Sequence, residues 1–236
     1  MDTLLDEGES LVHLPPVTDA ESGEVVARLN DILDALANLA DETDEVDAVV
    51  SIGHVESLGL IVPFFESLLE GSFDDISLAA YAQLIHMVEY PAIPDLIVVQ
   101  AAFGRRAGEE TIRDLERTCA RARQKNRSVD GYIDDLAETE RLASNRTARK
   151  FGGEVRRLPD DERTRLAIRI LRRATSLAPP ELRTHLLCAI GWLQWARGRR
   201  PVALTYLAEA QRTGSGCPLP VAMTALVSSR RPRWCA

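Results

Sequence analysis

The side chains that could do chemistry are scattered along this chain of 236 residues and form no recognisable motif. The histidines and cysteines stand far apart: His13, His54, His86, His185, Cys119, Cys188, Cys217 and Cys235. There is no H-E-x-x-H zinc motif, no C-x-x-C pair and no glycine-rich phosphate loop. We therefore predict no metal site, no bound cofactor and no catalytic residue.

Two of the histidines have a structural interpretation, and a third belongs to a segment whose residue types suggest a site. His86 and His185 lie in segments dense in apolar residues, where histidine is often partly buried without a catalytic role. His54 belongs to the segment Gly53–Gly59, which collects His, Glu and Ser but lacks the glycine spacing of a nucleophile elbow. An enzyme whose site is assembled from scattered residues stays open as an alternative.

Several features indicate a protein of the cytoplasm. The segment Met1–Ser10 is acidic and lacks the basic region and apolar core of a secretory signal. No apolar run approaches the length that crosses a bilayer, so we expect no membrane partner. In that compartment the cysteines are expected to be reduced thiols.

Charge is distributed unevenly between the two halves of the chain. Residues 1–100 contain 1 basic and 21 acidic side chains, a net charge of −20, whereas residues 101–236 contain 27 basic and 15 acidic side chains, a net charge of +12. The halves could neutralise each other, or the arginine-rich half could bind an external anion such as nucleic acid. We favour neutralisation, because an attached acidic half competes for the same arginines and repels phosphate.

The densest basic stripe lies on a helix predicted from Glu109 to Gln124. Arg113, Arg117 and Arg121 recur at four-residue spacing and so share one helical face. They are the candidate anion-binding residues, and a nucleic-acid-associated regulator that uses the stripe Arg105–Arg127 is the first alternative function. Interleaved acids could instead pair with these arginines, and the stripe contains no aromatic residue for stacking on bases.

The stretch Glu181–Gly214 predicts a helical hairpin. Apolar residues recur at three- and four-residue steps, namely Leu182, Leu186, Ala189, Ile190 and Leu193 in the first helix and Ala203, Leu207 and Ala210 in the second. Gly198 can end the first helix in the left-handed conformation, and Pro201 suits the first turn of the second. The spacing, with Leu187 and Gly191 in register, resembles a tetratricopeptide repeat, in which small residues let the two backbones approach closely.

The hairpin turn carries the candidate protein-binding residues: Trp192, Trp195, Arg197, Arg199 and Arg200. Tryptophan and arginine are enriched at the energetic centres of protein interfaces. The alternative is that both tryptophans pack against neighbouring helices. A last helix, Pro220–Ser229, is expected to cover the open end of the hairpin, with Trp234 packing back on it.

The rest of the pattern is mainly α, typical of a multi-helix bundle or a short tetratricopeptide-like array. Thr18 and Glu21 have the spacing of a capping box, before a helix with seven aliphatic residues on one face. These are Val25, Val26, Leu29, Ile32, Leu33, Leu36 and Leu39. The apolar runs Val49–Ile52 and Leu96–Val99 could be helical or could form one short strand pair, and we expect helix for the second run.

We expect three regions along the chain. Residues 1–17 are a flexible leader, residues 18–150 a helical region that changes from acidic to basic, and residues 151–236 the helical-hairpin region; the last two could pack as one domain. The segment Asn145–Gly153 is the expected loop between them. Asp75 is expected to cap the helix Ile76–Tyr90, and Asp160 to begin a helix that runs through Ala178.

Residues of the C-terminal third also resemble a known family. The pattern comprises Ala178-Pro179, the run Leu186–Trp192, Arg197-Gly198, Ala203–Ala210, Pro218–Leu226 and Pro232-Arg233-Trp234. Across Arg163–Trp234 it is similar to an actinobacterial family known as domain of unknown function forty-one ninety-two. The resemblance implies a helical fold and no particular activity. Members usually begin with an α/β segment, which residues 1–100 do not show.

The sequence thus predicts a cytoplasmic α-helical protein that acts as a protein–protein interaction or scaffold module without catalytic activity. We expect its partner to be another protein or a second copy of the chain. The alternatives are the nucleic-acid-associated regulator and an enzyme without a recognisable motif.

Overall fold

The protein is a helical bundle, seen in a computed structural model that describes residues 14–40, 48–127, 146–214 and 216–235. These residues form ten α-helices and no strand, which confirms the predicted mainly α fold class. The helices are α1 (Asp19–Ala40), α2 (Ala48–Glu70), α3 (Leu78–Met87), α4 (Ile93–Phe103), α5 (Arg105–Gln124), α6 (Arg146–Phe151), α7 (Asp161–Leu177), α8 (Thr184–Ala196), α9 (Arg200–Thr213) and α10 (Leu219–Ser229). Short 3-10 turns occur at Phe73–Asp75, Pro180–Leu182 and Arg233–Cys235.

Two short helices, α4 and α8, occupy the centre of the bundle. In α4 only Asp95 is more than marginally exposed, and in α8 only His185. Helix α4 packs on α2, α5, α6, α7 and α8, while α8 also packs on α7, α9 and α10. Both sequences are apolar nearly all round, which is the pattern of a helix enclosed on every side.

One hydrophobic core joins the two halves of the chain. It extends from Val25 of α1 to Trp234 near the C-terminus. Two arginines of α7 pair with acids of the N-terminal half: Arg163 with Glu66 at 2.9 Å, and Arg173 with Glu21. These pairs neutralise two of the 21 acids of residues 1–100, and neutralisation between the halves as a whole stays a prediction.

The hairpin predicted for the C-terminal third is present as α8 and α9. Leu187 and Leu207 are both buried in it. Gly198 forms the turn with φ of 78°. A Cβ atom at Gly191 would lie 3.0 Å from Cγ of Leu207 and 3.3 Å from the carbonyl oxygen of Ala203, so the small residue permits the close approach of the two helices.

The C-terminal residues fold back on this hairpin, but Trp234 packs at its turn rather than at the open end, where it was expected. Helix α10 packs on α8 and α9. The indole N–H of Trp234 donates to the carbonyl oxygen of Ala196 at 2.7 Å, and the Trp234 ring meets Phe103 edge-on at 5.5 Å between ring centroids. The C-terminus therefore covers the end of α8.

The alternative of a strand pair in the N-terminal half is wrong. Residues 49–52 lie in α2 and Leu96–Val99 in α4, so the helix expected for the second run is confirmed. Pro94 stands in the first turn of α4 and Gly104, with φ of 90°, follows its last residue. These two residues delimit a helix, and every side of it is covered by other helices rather than by a strand that could share its backbone hydrogen bonds.

Two local predictions are also corrected. Residues 146–151 of the predicted loop Asn145–Gly153 form α6, because tertiary contacts stabilise a short basic helix: Lys150 pairs with Glu110 of α5 at 2.8 Å. The cap of α3 is Ser77 rather than Asp75, since the Ser77 hydroxyl accepts the backbone N–H of Ala80 at 3.1 Å.

Other local predictions are confirmed. Thr18 and Glu21 form the capping box at the start of α1, with Thr18 N–H donating to Glu21 Oε2 at 2.8 Å and Glu21 N–H donating to Thr18 Oγ1 at 3.2 Å. Asp160 caps α7 by accepting the N–H of Arg163 at 3.0 Å. Residues 1–13 of the predicted leader, including His13, lie outside the described residues.

Candidate functional site

The two tryptophans predicted to bind a partner lie in the core. Trp192 is 0 % exposed and Trp195 is 1 % exposed. Their N–H groups are used within the fold, because Trp192 donates to the carbonyl oxygen of Phe151 at 2.9 Å and Trp195 to that of Arg230 at 3.1 Å. Neither indole can reach a partner, so the alternative interpretation, in which both pack against neighbouring elements, holds.

The three arginines beside them contact the chain itself. The side chain of Arg197 is only 5 % exposed and its Nε donates to Asp161 of α7 at 2.9 Å. Arg200 donates to the carbonyl oxygen of Ser228 in α10. Arg199 is half-buried in the turn before α9. Arg197 and Arg200 therefore fasten the hairpin turn to α7 and α10.

The basic stripe lies on the exposed side of α5. Arg113, Arg117 and Arg121 are all exposed there, as their spacing predicted. Acids of the same helix interact with the stripe, since Arg117 pairs with Asp114, and Arg105 pairs with an acid one turn ahead of it. Part of the charge is thus matched within α5, and anion binding by these arginines stays a prediction.

A solvent-open groove lies between α1 and α2, with α3 contributing its third side. Its volume is about 510 Å³. Eight of its lining residues have apolar side chains: Ile32, Ala35, Leu36, Leu39, Leu60, Pro63, Phe64 and Met87. Leu39 and Leu60 are 48 % and 56 % exposed although both are large and apolar. We call this feature the N-terminal groove.

Small side chains on the facing helices leave this groove open. Ala35 lines it from α1, and Gly53 and Ser57, one turn apart, line it from α2. A Cβ atom at Gly53 would lie 2.0 Å from the hydroxyl oxygen of Tyr90 and 3.2 Å from Cδ1 of Leu36. A side chain at position 53 would therefore displace the Tyr90 hydroxyl, so glycine permits the close approach of α2 to Tyr90 and Leu36.

Aromatic and polar side chains pack next to the groove-lining residues His86 and Gly53. His86 lines the groove, and its Nε2 lies 3.3 Å from the Tyr90 hydroxyl. The ring of His54 stacks on Tyr90 and its Nε2 lies 3.1 Å from the carbonyl oxygen of Pro91. Burial lowers the pKa of His86, so this ring is neutral at pH 7 and the groove gains no positive charge from it.

The helices around the groove are acidic. Residues 19–40, 48–70 and 78–87 contain eight Asp or Glu and one basic residue, Arg28, a net charge of −7. Arg28 itself lies 3.8 Å from Glu24 and 4.0 Å from Asp31. Glu56 lines the groove directly, and the segment 41–47 that connects α1 to α2 adds five acids by sequence.

Two kinds of feature are absent from the part of the chain that the structure describes. None of its helices combines the length and the apolar character that crossing a membrane requires. Within the same residues, no group of three or more His, Cys, Asp or Glu side chains has the arrangement of a metal site.

Comparison with known proteins gives no family assignment. The chain matches no family model, and searches of curated proteins and of solved structures found no match. The resemblance of Arg163–Trp234 to the domain-of-unknown-function family therefore stays a prediction, and function has to be argued from the geometry of the chain itself.

Proposed function

We propose that this protein is an interaction module that binds a basic amphipathic helix of a partner protein in the N-terminal groove. The observation that carries the proposal is the exposure of Leu39 and Leu60 on facing walls of an apolar groove. Exposed apolar patches rimmed by polar residues mark interaction sites on soluble proteins. The proposed binding surface thus moves from the hairpin turn, which the fold uses internally, to α1, α2 and α3.

The shape of the groove suits a helix. Its α1 wall runs from Ile32 to Leu39, about two helical turns or roughly 10 Å. A docked helix presents side chains at i, i+3 or i+4, and i+7 along one face, which covers the same distance. Two or three aliphatic anchors of a partner helix would therefore contact Leu39, Leu60 and Phe64.

The negative charge around the groove favours a partner helix of positive charge. The net charge of −7 on the three helices disfavours an acidic helix and attracts lysine or arginine placed on the solvent side of a docked one. Such attraction acts mainly on the association rate and weakens as salt screens the charges. We expect the partner to be an amphipathic helix with aliphatic anchors and flanking basic residues.

The chain's own remaining segments are poor occupants for the same reason. Residues 1–13 contain four acids and no Lys or Arg, and residues 128–145 contain five acids and one arginine. Either segment would bring like charge to the groove. An external basic helix is the occupant that the charges favour.

The proposal is tested with a designed probe. We would use a fluorescein-labelled peptide of about 16 residues, roughly 24 Å as a helix, with leucine at i, i+4 and i+7 and lysine on the opposite face. Binding is followed by fluorescence anisotropy. Leu60→Glu places a charge on the apolar wall and is expected to weaken binding at least about tenfold, since burying an unpaired charge is costly.

Val55→Glu is the matched control. Val55 lies on the same helix and is 70 % exposed, but it does not line the groove. It adds the same charge, so its peptide affinity should stay within about twofold of the wild type. A scrambled peptide of the same composition should bind at least about tenfold more weakly, because its leucines do not share a face.

Three results would overturn the proposal. Equal loss of affinity in Leu60→Glu and Val55→Glu would show that only net charge matters. A groove that binds an apolar dye but not the helical peptide would be a small-molecule site. A dimer at micromolar concentration that Leu60→Glu converts to a monomer would make a second copy of this chain the occupant.

A further inference from the structure

Three side chains from separate parts of the chain meet at the N-terminal end of α8. His185 lies in the first turn of α8, Glu89 follows α3 and Cys217 precedes α10. His185 Nδ1 lies 3.1 Å from Glu89 Oε1, and His185 Nε2 lies 3.9 Å from Cys217 Sγ. A carboxylate, an imidazole and a thiol therefore lie in a row, and we call Glu89, His185 and Cys217 the thiol series.

The carboxylate determines which imidazole nitrogen carries the proton. An ionised Glu89 can only accept a hydrogen bond, so Nδ1 of His185 donates to it. In the neutral ring, Nε2 then has the free lone pair, and this nitrogen faces Cys217. The thiol proton can pass to Nε2, and Glu89 stabilises the imidazolium that results.

Two other groups of the central helices face this series. Asp95, the one residue of α4 that is partly rather than fully buried, interacts electrostatically with His185, and burial raises the pKa of Asp95 to about 6. Cys188 of α8 is completely buried, and burial, with smaller contributions from Cys217 and Asp95, raises its pKa to about 12. Cys188 is therefore a protonated core thiol, and Cys217 is the one that can react.

Small molecules can reach Cys217. Its neighbours Gly216 and Pro218 are both exposed, and Cys217 itself is partly exposed. The side chains of His185 and Glu89 are 24 % and 29 % exposed. The partial exposure of all three side chains gives a small reagent access to this part of the surface.

The backbone around the thiol favours one class of reaction. Cys217 N–H donates to the carbonyl oxygen of Gly214 at 3.1 Å, so it is not free to stabilise the oxyanion that acyl transfer produces. Attack on a peroxide oxygen forms no such oxyanion on carbon. It needs a thiolate and an acid that protonates the departing oxygen.

We propose that Cys217 is a peroxide-reactive thiol assisted by His185, with Glu89 as the positioning residue. The Cys217 thiolate attacks one oxygen of a hydroperoxide, the S–O bond forms and the O–O bond breaks. The departing hydroxide or alkoxide takes the proton from Nε2 of His185. Sulfur is oxidised to a sulfenic acid and the peroxide is reduced to water or an alcohol, so atoms and electrons balance.

The test measures oxidation of each cysteine in the full chain. Hydrogen peroxide is added at pH 7 with dimedone as the trap, and peptide mass spectrometry follows the adduct. Cys119 and Cys235, both free and partly exposed, serve as internal comparators, and Cys119 is the stricter one because burial raises the pKa of Cys235. We expect Cys217 to react at least about a hundredfold faster than either comparator, the lower end of what a positioned acid or base typically contributes.

Variants then separate chemistry from folding. His185→Asn is expected to reduce the Cys217 rate to that of the comparators, and Glu89→Gln to reduce it partially. His54→Asn, a histidine outside the series, should leave the rate unchanged. Iodoacetamide supplies a second readout, because the pH profile of alkylation at Cys217 should differ between the wild type and His185→Asn.

The outcomes are decisive in both directions. Selective, His185-dependent oxidation of Cys217 with unchanged circular dichroism supports the proposal. Equal rates at the three accessible cysteines, or a Cys217 rate and iodoacetamide pH profile that His185→Asn leaves unchanged, overturns it. Neither result depends on whether the N-terminal groove binds a helix.

Discussion

The ion pair between Arg163 and Glu66 offers a direct test of how the two halves are held together. Two guanidinium nitrogens of Arg163 on α7 each lie 2.9 Å from a carboxylate oxygen of Glu66 on α2, and Gln100 Nε2 donates to the same carboxylate at 2.8 Å. Only 7 % of the Glu66 side chain is exposed. We expect Arg163→Met to leave this carboxylate buried without its cation.

The size of the effect follows from burial. Removing one partner of a buried ion pair costs about 3–5 kcal/mol. Here the Gln100 hydrogen bond remains, and the Arg163 side chain is 23 % exposed, so water can partly replace it. We therefore expect the free energy of unfolding at pH 7 to fall by about 2–3 kcal/mol, which lowers the melting temperature by roughly 4–12 °C in a chain of this size.

The contribution of Glu66 to stability depends on pH in a direction that follows from its pKa. Burial alone would raise the pKa of Glu66, but hydrogen bonds from Arg163 and Gln100 and the charge of Arg163 outweigh burial and lower it. The stability contributed by Glu66 is therefore present above the unfolded pKa, near 4.3, and is lost as pH falls through the lower folded value. The stability difference between wild type and Arg163→Met should shrink when pH is lowered from 7 to 4.

Arg165→Met is the matched control for this experiment. Arg165 lies on the same helix and pairs with Asp161 at 2.7 Å, but both side chains are 53 % exposed. An exposed pair contributes less than about 1 kcal/mol. Urea unfolding followed by circular dichroism at pH 7 and pH 4 measures both variants. Equal stabilities for Arg163→Met and Arg165→Met, or a difference that grows on acidification, would refute the reasoning.

Two further predictions concern single positions. Gly59→Ala lies in an exposed part of α2 where a Cβ meets nothing within 4 Å, so it should raise the free energy of unfolding by about 0.5–1 kcal/mol. Gly191→Ala places a Cβ against Leu207 and should leave that free energy unchanged or lower it. Urea unfolding measures both variants. Asp95→Asn should raise the free energy of unfolding by about 1–3 kcal/mol at pH 7.5 and leave it unchanged at pH 4. The pKa of Asp95 is raised to about 6, so the protonated carboxyl stabilises the fold below about pH 4. This stability is lost as pH rises through 6. A Gly191→Ala gain equal to that of Gly59→Ala, or an Asp95→Asn loss at pH 7.5, would contradict these predictions.

Several of the features predicted correctly from sequence are fixed by neighbours within about four residues. The Thr18 capping box, the Asp160 cap and the left-handed Gly198 all depend on one turn of backbone, and all are present. Helix α6 was missed because its support comes from elsewhere, including the pair between Lys150 and Glu110, forty residues apart. Its basic, glycine-ended sequence has the composition of a loop.

The N-terminal groove could not be predicted for a related reason. The aliphatic stripe of α1 has seven members, and periodicity indicates that they share a face but not how wide the contact with neighbouring helices is. The structure buries Val25, Leu29 and Leu36 and leaves Leu33 and Leu39 nearly half exposed. The sequence signal that could have indicated the groove is the width of this stripe, because seven aliphatic residues are more than one neighbouring helix covers. The thiol series had no such signal in the sequence, because Glu89, His185 and Cys217 are brought together only by the packing of separate parts of the chain.

The uneven charge of the chain acquires a structural meaning from these contacts. Arg163 and Arg173 of α7 pair with Glu66 and Glu21, so they neutralise acids on the sides of α2 and α1 that meet α7. These two pairs reduce the net charge of −7 on α1, α2 and α3 to −5. Glu56, which lines the groove, is exposed and is not among the acids bound by α7. Internal neutralisation therefore uses the acids that hold the bundle together and leaves negative charge around the groove, where it can act on a basic partner.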